Sequence, residues 1–154
     1  MSDIEIVVVK TVNQWLQCQQ VRSSAFLGTE PYHEEFDDND LEMVTHILAL
    51  SGEDPVACMR LRCIQSDTIH WGRLAILPNM PGKDRVKTLL SITSFVEAYS
   101  SSMKFKRIIG EVSDERLMSF WRKRGFTLTG GSPVVFGKRE YWPFEKYPNY
   151  AQLS

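Results

Sequence analysis

Hydrophobic residues recur along the chain in two periods, one typical of strands and the other of helices. Five segments are rich in β-branched residues or alternate between apolar and polar positions, which predicts strands at residues 4–9, 44–50, 56–65, 69–77 and 107–112. Helical spacing predicts helices from Thr11 to about Phe26, from about Asp84 to Ser102, and from Glu115 to Arg124. Two last strands are predicted at 126–129 and 134–141, and the remaining tail is predicted to be irregular.

The order of these segments predicts an α+β domain built on one mixed sheet. The turns at residues 51–55 and 66–67 are short, so the three strands that they connect are expected to pair antiparallel. A loop and a long helix separate strand 69–77 from strand 107–112, which is typical of a crossover between parallel strands. No linker or internal repeat divides the chain, so residues 1–154 are expected to form a single domain.

The composition is that of a globular protein. Hydrophobic residues make up 43% and charged residues 24%, which excludes a disordered chain or a coiled coil. No apolar run approaches the roughly 20 residues of a membrane span, and the N-terminus differs from a secretory signal, so a cytoplasmic protein is expected. The three cysteines lack metal-site spacing, so we expect reduced, buried thiols and no metal.

Charge is distributed unevenly, although the net charge is only −1. Residues 1–55 contain 2 basic and 11 acidic side chains, whereas residues 56–154 contain the other 16 basic and 8 acidic ones. This asymmetry favours an anionic partner for the second part, unless the two parts neutralise each other within one folded unit. Nucleic acid is not expected as a partner, because no motif of a nucleic-acid reader is present.

The stretch with the clearest chemical meaning runs from a strand through a Pro/Gly loop into a helix. Residues 73–77 read RLAIL, and the loop at 78–82 reads PNMPG. A helix N-terminus after such a loop binds anions, because its first N–H groups have no acceptor within the helix and its dipole is positive there. Three cations lie in the first turn, and they either face a phosphate or are simply solvated: Lys83, Arg85 and Lys87.

Residues 73–90, RLAILPNMPGKDRVKTLL, resemble the core motif of the GNAT family of acyl-CoA-dependent N-acyltransferases. Residues 120–126, FWRKRGF, resemble the helix end that the family writes FY-x-K-x-GF. Upstream, the acidic stretch around EEFDDND and the strand PVACMRLR resemble one branch of the family; autoinducer synthases and N-acyl amino acid synthases carry a similar acidic segment. The resemblance covers roughly residues 5–142.

The resemblance implies a twisted mixed sheet with helices on both faces, and transfer of an acyl group, with acetyl expected, from a coenzyme A thioester to the amine of a small molecule or a protein. The backbone N–H of Ile76 would polarise the thioester carbonyl. The residues that would contact the donor are Leu74, Ile76, Gly82, Lys83, Asp84, Arg85, Val86, Lys87 and Trp121.

Several positions depart from the family pattern. Gly82 fills the first glycine position of the phosphate loop, but Asp84 and Val86 stand at the next two, and the Asp84 charge is expected to oppose a pyrophosphate. Trp121 stands where the family commonly has a tyrosine acid, and an indole cannot protonate a thiolate. Two alternatives therefore stay open: a donor on acyl carrier protein, and a catalytically silent module that binds a protein or metabolite. A homodimer is also left open.

Two residues are candidates for the general base that takes a proton from the amine. His70 is the only one on strand 69–77, where alternation places it on the same face as Gly72, Leu74 and Ile76. Glu111 on the next strand is the other candidate. The acidic stretch either attracts a cationic acceptor, caps a helix or is a solvated loop; the residues proposed to bind the acceptor are Glu35, Asp37 and Asp40.

Overall fold

The computed structural model describes residues 3–27, 44–65, 67–136 and 139–148. The strands in these ranges are β1 (Ile4–Val8), β2 (Val44–Ser51), β3 (Asp54–Gln65), β4 (Thr68–Ile76), β5 (Arg107–Val112), β6 (Thr127–Leu128), β7 (Val134–Phe136) and β8 (Arg139–Lys146). The helices are α1 (Val12–Arg22), which continues as a π-helical turn Ser23–Leu27, α2 (Gly82–Ser102) and α3 (Glu115–Lys123).

The strands form one mixed sheet in the order β1-β2-β3-β4-β5-β8-β6, and β7 pairs with β8. The first four strands are antiparallel neighbours. Short connections join β2 to β3 and β3 to β4, whereas α1 lies in the chain between β1 and β2. The pairing of β4 with β5 is parallel, because α2 carries the chain back across the sheet between them. The predicted meander and the predicted crossover are both confirmed.

Local signals in the sequence set the helix ends. The hydroxyl of Thr11 accepts a hydrogen bond from the Gln14 N–H at 3.1 Å, and the Asp114 carboxylate accepts one from the Arg116 N–H at 2.7 Å. Such caps stabilise a helix by about 1 kcal/mol each. Gly125 has a φ of 93° just after α3, a left-handed conformation that favours glycine. The α2 helix begins at Gly82, two residues before the predicted start.

Hydrophobic side chains are buried on both faces of the sheet. One core is formed by α2 and α3 with the larger set of strand residues, including Ile92, Val96, Leu61, Trp71 and Trp121. The other core is smaller and packs α1 against the opposite face, and its buried members are Cys18, Val21, Leu48, Cys58 and Ala75. Full burial of such a side chain contributes about 1.5–3 kcal/mol. In the described ranges, no helix combines the length and the hydrophobicity of a membrane span.

Two predictions about the strands and cysteines were wrong. Residues 143–146 were expected to be irregular, but they belong to β8, which lies between β5 and β6. Only Phe144 is buried in this charged and aromatic stretch, so its strand character depends on pairing with neighbours rather than on its own pattern. Cys18 and Cys58 are buried thiols as expected, whereas Cys63 is exposed.

Candidate active site

A cavity opens where β4 and β5 separate. The two strands pair at only three positions, the last of which joins His70 to Ile109. Beyond this point β4 continues to Ile76 while it remains paired with β3 alone. The space between the diverging strands is part of a cavity of about 530 Å³. Its size falls in the range of small-molecule sites.

A β-bulge interrupts β4 beside this cavity. Gly72 pairs with Arg60 and Ala75 pairs with Cys58, so Arg73 and Leu74 together oppose the single residue Met59 on β3. Arg73 adopts a φ of 51°, which costs a non-glycine residue about 1–3 kcal/mol. Strain of this kind is typical of functional sites, where the surrounding structure maintains it.

The bulge changes which face of the sheet the later residues of β4 occupy. Before it, His70 and Gly72 pair with Arg62 and Arg60 on the face that α1 covers. After it, Leu74 and Ile76 pack against the core on the opposite face, and Ala75 packs with the α1 core. The prediction that His70 shares a face with Leu74 and Ile76 is therefore wrong, because a period of two fails across an inserted residue.

The backbone N–H of Ile76 is directed toward the cavity side of β4. The N–H of Leu77, one residue later, donates to the Val56 carbonyl on β3 at 3.0 Å. Successive N–H groups of an antiparallel strand point in opposite directions, so the Ile76 N–H points away from β3. Since β5 has already diverged at this level, a ligand between the strands can accept its hydrogen bond.

His70 and Glu111 form a pair at the point of divergence. The His70 Nε2 lies 2.7 Å from the Glu111 Oε2, and both side chains line the cavity. A carboxylate accepts hydrogen bonds, so we assign the proton to Nε2, which leaves the lone pair on Nδ1. The Nδ1 atom is buried and has no hydrogen-bond partner in the part of the chain that the structure describes.

Gly72 makes room for the imidazole ring. A Cβ atom at this position would lie 2.8 Å from the His70 Cε1 and 3.1 Å from Nδ1. Real Cβ atoms do not approach a ring atom to 2.8 Å, so any larger residue would displace the ring. Gly72 thus allows His70 to lie along the strand with its Nε2 against Glu111.

The cavity has a polar side and an apolar side. The side toward α1 carries the His70–Glu111 pair, and the polar or charged side chains that line the cavity also include Arg60, Arg62, Arg73, Arg85, Ser113, Asp114, Arg139 and Tyr141. The side toward α2 and α3 is lined by Met59, Leu74, Val112, Leu117, Trp121 and Phe144. A ligand that passes between the strands would therefore meet both environments.

Trp121 is part of the wall of this cavity and of an aromatic cluster. Its side chain is only 5% exposed. The ring stacks on Phe144 with centroids 5.8 Å apart and meets Trp71 edge-on at 6.0 Å. Such contacts add about 0.5–1.5 kcal/mol each to the stabilisation by burial. Contact between Trp121 and a ligand stays a prediction.

The α2 N-terminus provides backbone donors near the end of β4. Both the Asp84 and the Arg85 N–H donate to the Pro81 carbonyl at 3.0 Å, whereas the N–H groups of Gly82 and Lys83 have no acceptor within the helix. Gly82 and Lys83 are exposed. These two donors and the helix dipole suit the phosphates of a coenzyme.

The charged residues of this first turn are not equivalent. The Arg85 Nη1 donates to the Leu77 carbonyl at 2.6 Å, so Arg85 joins the helix to the strand end while it lines the cavity. Asp84 lines a separate groove with Ser51 and Pro55, and it is not among the cavity residues. Val86 and Lys87 are exposed, and the Lys87 Nζ lies 3.8 Å from the Asp3 carboxylate.

Three predicted site residues cannot be placed, and three residues of the cavity were not predicted. Glu35, Asp37 and Asp40 lie outside the described residues. Arg62, Gly72 and Arg73 line the cavity but were not predicted as site residues. A glycine within a strand, such as Gly72, often signals a bulge or a close approach. In the described ranges, no three His, Cys, Asp or Glu side chains are placed to hold a metal ion.

Sequence comparison finds no matching protein-family model and no matching curated protein. Solved structures match over almost the whole chain. An acyl-CoA N-acyltransferase from Pseudomonas aeruginosa is 14% identical, with a TM-score of 0.78 over 94% of this chain and 99% of its own. FeeM, an N-acyl amino acid synthase from uncultured soil microbes, is 10% identical, with a TM-score of 0.78 over 99% of this chain and 95% of its own. An acetyltransferase from Bacillus subtilis in complex with CoA is 12% identical, with a TM-score of 0.71 over 96% of this chain and 100% of its own.

These matches show that the chain has the fold of the GNAT acyl-CoA N-acyltransferases, as predicted. The sequence identity to these structures is low although the fold is shared, because a fold can persist when most residues have changed. A fold of this kind supports several activities, so the activity has to be argued from the site itself.

Proposed function

We propose that this protein is an N-acyltransferase that moves an acyl group from a coenzyme A thioester to an amine. The observation that carries the proposal is the cavity between β4 and β5, with a helix N-terminus at one end and the His70–Glu111 pair at the divergence point. The shared fold supports it, and the similar B. subtilis acetyltransferase was solved with CoA.

The thioester donor would occupy the gap beside β4. Its phosphates would accept hydrogen bonds from the free N–H groups of Gly82 and Lys83, with Lys83 and Arg85 close by to balance their charge. Its carbonyl oxygen would accept from the Ile76 N–H, which stabilises the negative charge that develops on this oxygen. The acyl chain would contact apolar residues on the α2 side, including Leu74 and Trp121.

The acceptor would reach the thioester from the polar side of the cavity. An amine arrives as an ammonium ion, and His70 would take one proton from it, directly or through a water. Glu111 would hold the imidazole in position and stabilise its protonated form. The neutral nitrogen then attacks the carbonyl carbon, so that a C–N bond forms while the C–S bond breaks and the thiolate leaves. The nitrogen of the new amide gives up its second proton to solvent, the thiolate takes one from solvent, and His70 returns its proton to solvent before the next turnover.

No tyrosine acid is needed at position 121 in this scheme. An alkyl thiol such as that of cysteine ionises with a pKa near 8.5, so a thiolate is a competent leaving group. Catalysis would depend mainly on positioning of the two substrates and on polarisation of the carbonyl. This distribution of tasks fits a buried Trp121 within the aromatic cluster.

Release of free thiol tests the proposal. Purified protein is mixed with acetyl-CoA or longer acyl-CoA and a panel of amines, and thiol is followed with a chromogenic reagent. We expect amine-dependent thiol release, and thermal stabilisation by CoA of about 2.7 kcal/mol at 100 times its dissociation constant. Stabilisation without turnover would favour a silent binding module. Turnover only with acyl carrier protein thioesters would change the donor.

A further inference from the structure

We propose that the acceptor is a small amine that carries a carboxylate, of the α-amino acid type, and that Arg62 binds this carboxylate. The inference rests on the proposed acyl transfer, whose acceptor it defines more closely. It starts from the position of Arg62 on β3, directly opposite His70 in the antiparallel register.

Arg62 and His70 share one face of the sheet and line the same cavity. Residues that face each other in this way have Cβ atoms about 4.5–5.5 Å apart. A ligand in this cavity can therefore contact both the Arg62 guanidinium and the imidazole that would take the proton of the amine. An acceptor that uses both groups carries an anion for Arg62 and an amine for His70.

The Arg62 side chain has unused hydrogen-bonding capacity. It is half-buried, and its Nε is buried without a hydrogen-bond partner among the described residues. A buried donor without an acceptor is unfavourable, so an acceptor supplied by a ligand would be favoured. A guanidinium binds a carboxylate through two parallel hydrogen bonds, which also fixes the orientation of the ligand.

The lining of the cavity around Arg62 is rich in charged side chains. Arginines outnumber carboxylates among the described residues that line the cavity; the charged members are Arg60, Arg62, Arg73, Arg85, Arg139, Glu111 and Asp114. An α-amino acid is the smallest amine that meets both Arg62 and His70, and it leaves part of the cavity of about 530 Å³ for the thioester.

The test compares L-amino acids with their α-carboxamides, which keep the amine and side chain but replace the carboxylate by a neutral amide. We expect wild-type protein to prefer an amino acid over its carboxamide by about 10- to 100-fold in kcat/KM, mainly through KM. Arg62→Gln should slow the amino acid far more than its carboxamide and so remove this preference, whereas Arg62→Lys should keep part of it. Arg122→Gln is the matched control, because Arg122 is exposed on α3 and does not line the cavity.

Equal rates for acids and carboxamides in the wild-type protein would overturn the inference, and so would an equal loss for both in Arg62→Gln. Binding decides the case in which no amine supports thiol release. The same amino acids and carboxamides are then titrated by calorimetry with CoA present. Tighter binding of the acid that depends on Arg62 would support the carboxylate site although the transferase proposal has failed. No binding of either compound would reject both.

Discussion

Strand β4 is bonded to β3 along one edge from Thr68 to Ile76, but to β5 along its other edge at only three residues. The β3 edge is surrounded by fully buried side chains such as Leu61 and Ala57. The β5 edge ends at His70, and beyond it the strand faces a cavity. One strand therefore carries scaffold and site at once, because its backbone groups are paired along the β3 edge and are available to a ligand along the β5 edge beyond His70.

We call the β5 edge of β4 the site edge and the β3 edge the scaffold edge. The largest effect is expected from substitution of His70 at the site edge. His70→Gln keeps a hydrogen-bonding side chain but no base, so kcat and kcat/KM should fall together by about 10²–10⁴-fold, as for loss of general base catalysis. Glu111→Gln should cost less. Since the two residues act as a unit, the double variant should be little slower than His70→Gln alone. Additive losses in steady-state kinetics would mean that the pair does not act together.

A core substitution beside the scaffold edge should lower stability and leave the chemistry largely unchanged. Leu61→Ala removes a side chain that is 2% exposed and lies opposite Trp71 on β4. The free energy of unfolding should fall by about 2–5 kcal/mol in urea titrations, while kcat of the folded protein changes little. Ile64→Ala in the same strand is the control, because Ile64 is 43% exposed and its loss should cost much less. A large loss of kcat in Leu61→Ala would show that the two edges are not separable.

A substitution at Gly72 should also separate an effect on catalysis from an effect on stability. Gly72→Ala places a Cβ atom against the His70 ring, which has room to turn because it borders the cavity. We expect kcat to fall by about tenfold with a melting temperature close to that of the wild type, since displacement of a catalytic group by about 1 Å has effects of this order or larger. If the melting temperature falls and kcat stays the same, Gly72 serves packing alone.

The smallest effect is expected at Asp84. Its carboxylate lines a groove apart from the cavity, so its charge should weaken coenzyme A binding only slightly. Asp84→Asn should change the dissociation constant measured by calorimetry less than threefold, an energy of about 0.6 kcal/mol or below. A tenfold improvement would mean that the phosphates approach Asp84 directly, as the sequence motif suggests.

Much of the scaffold followed from the sequence, and so did the choice of His70 and Glu111, but the bulge that shapes the site did not. The alternation along β3 and the long helical period of α2 reflect burial, which depends on residue type and is therefore visible in the sequence. The bulge depends instead on one left-handed residue, Arg73, whose side chain gives no sign of it. Gly72 is the residue of the bulge whose type is unusual for a strand, and the reason for it is the His70 ring that lies beside it.

The start of α2 was also predicted only in part from the sequence. Spacing predicted a helix that begins near Asp84, two residues after the observed start of α2 at Gly82. It did not reveal that Arg85 turns back to the Leu77 carbonyl or that Asp84 faces a different groove.

The short pairing between β4 and β5 divides the sheet into two half-sheets, β1 to β4 and β5 to β8, joined at three residue pairs. A ligand that lies in the gap and contacts both strands acts as an additional strand between the half-sheets. Its binding free energy then contributes to the cohesion of the whole sheet. Amide hydrogens on both sides of the joint, at residues 68–70 and 107–109, should consequently exchange more slowly when the gap is filled than when it is open.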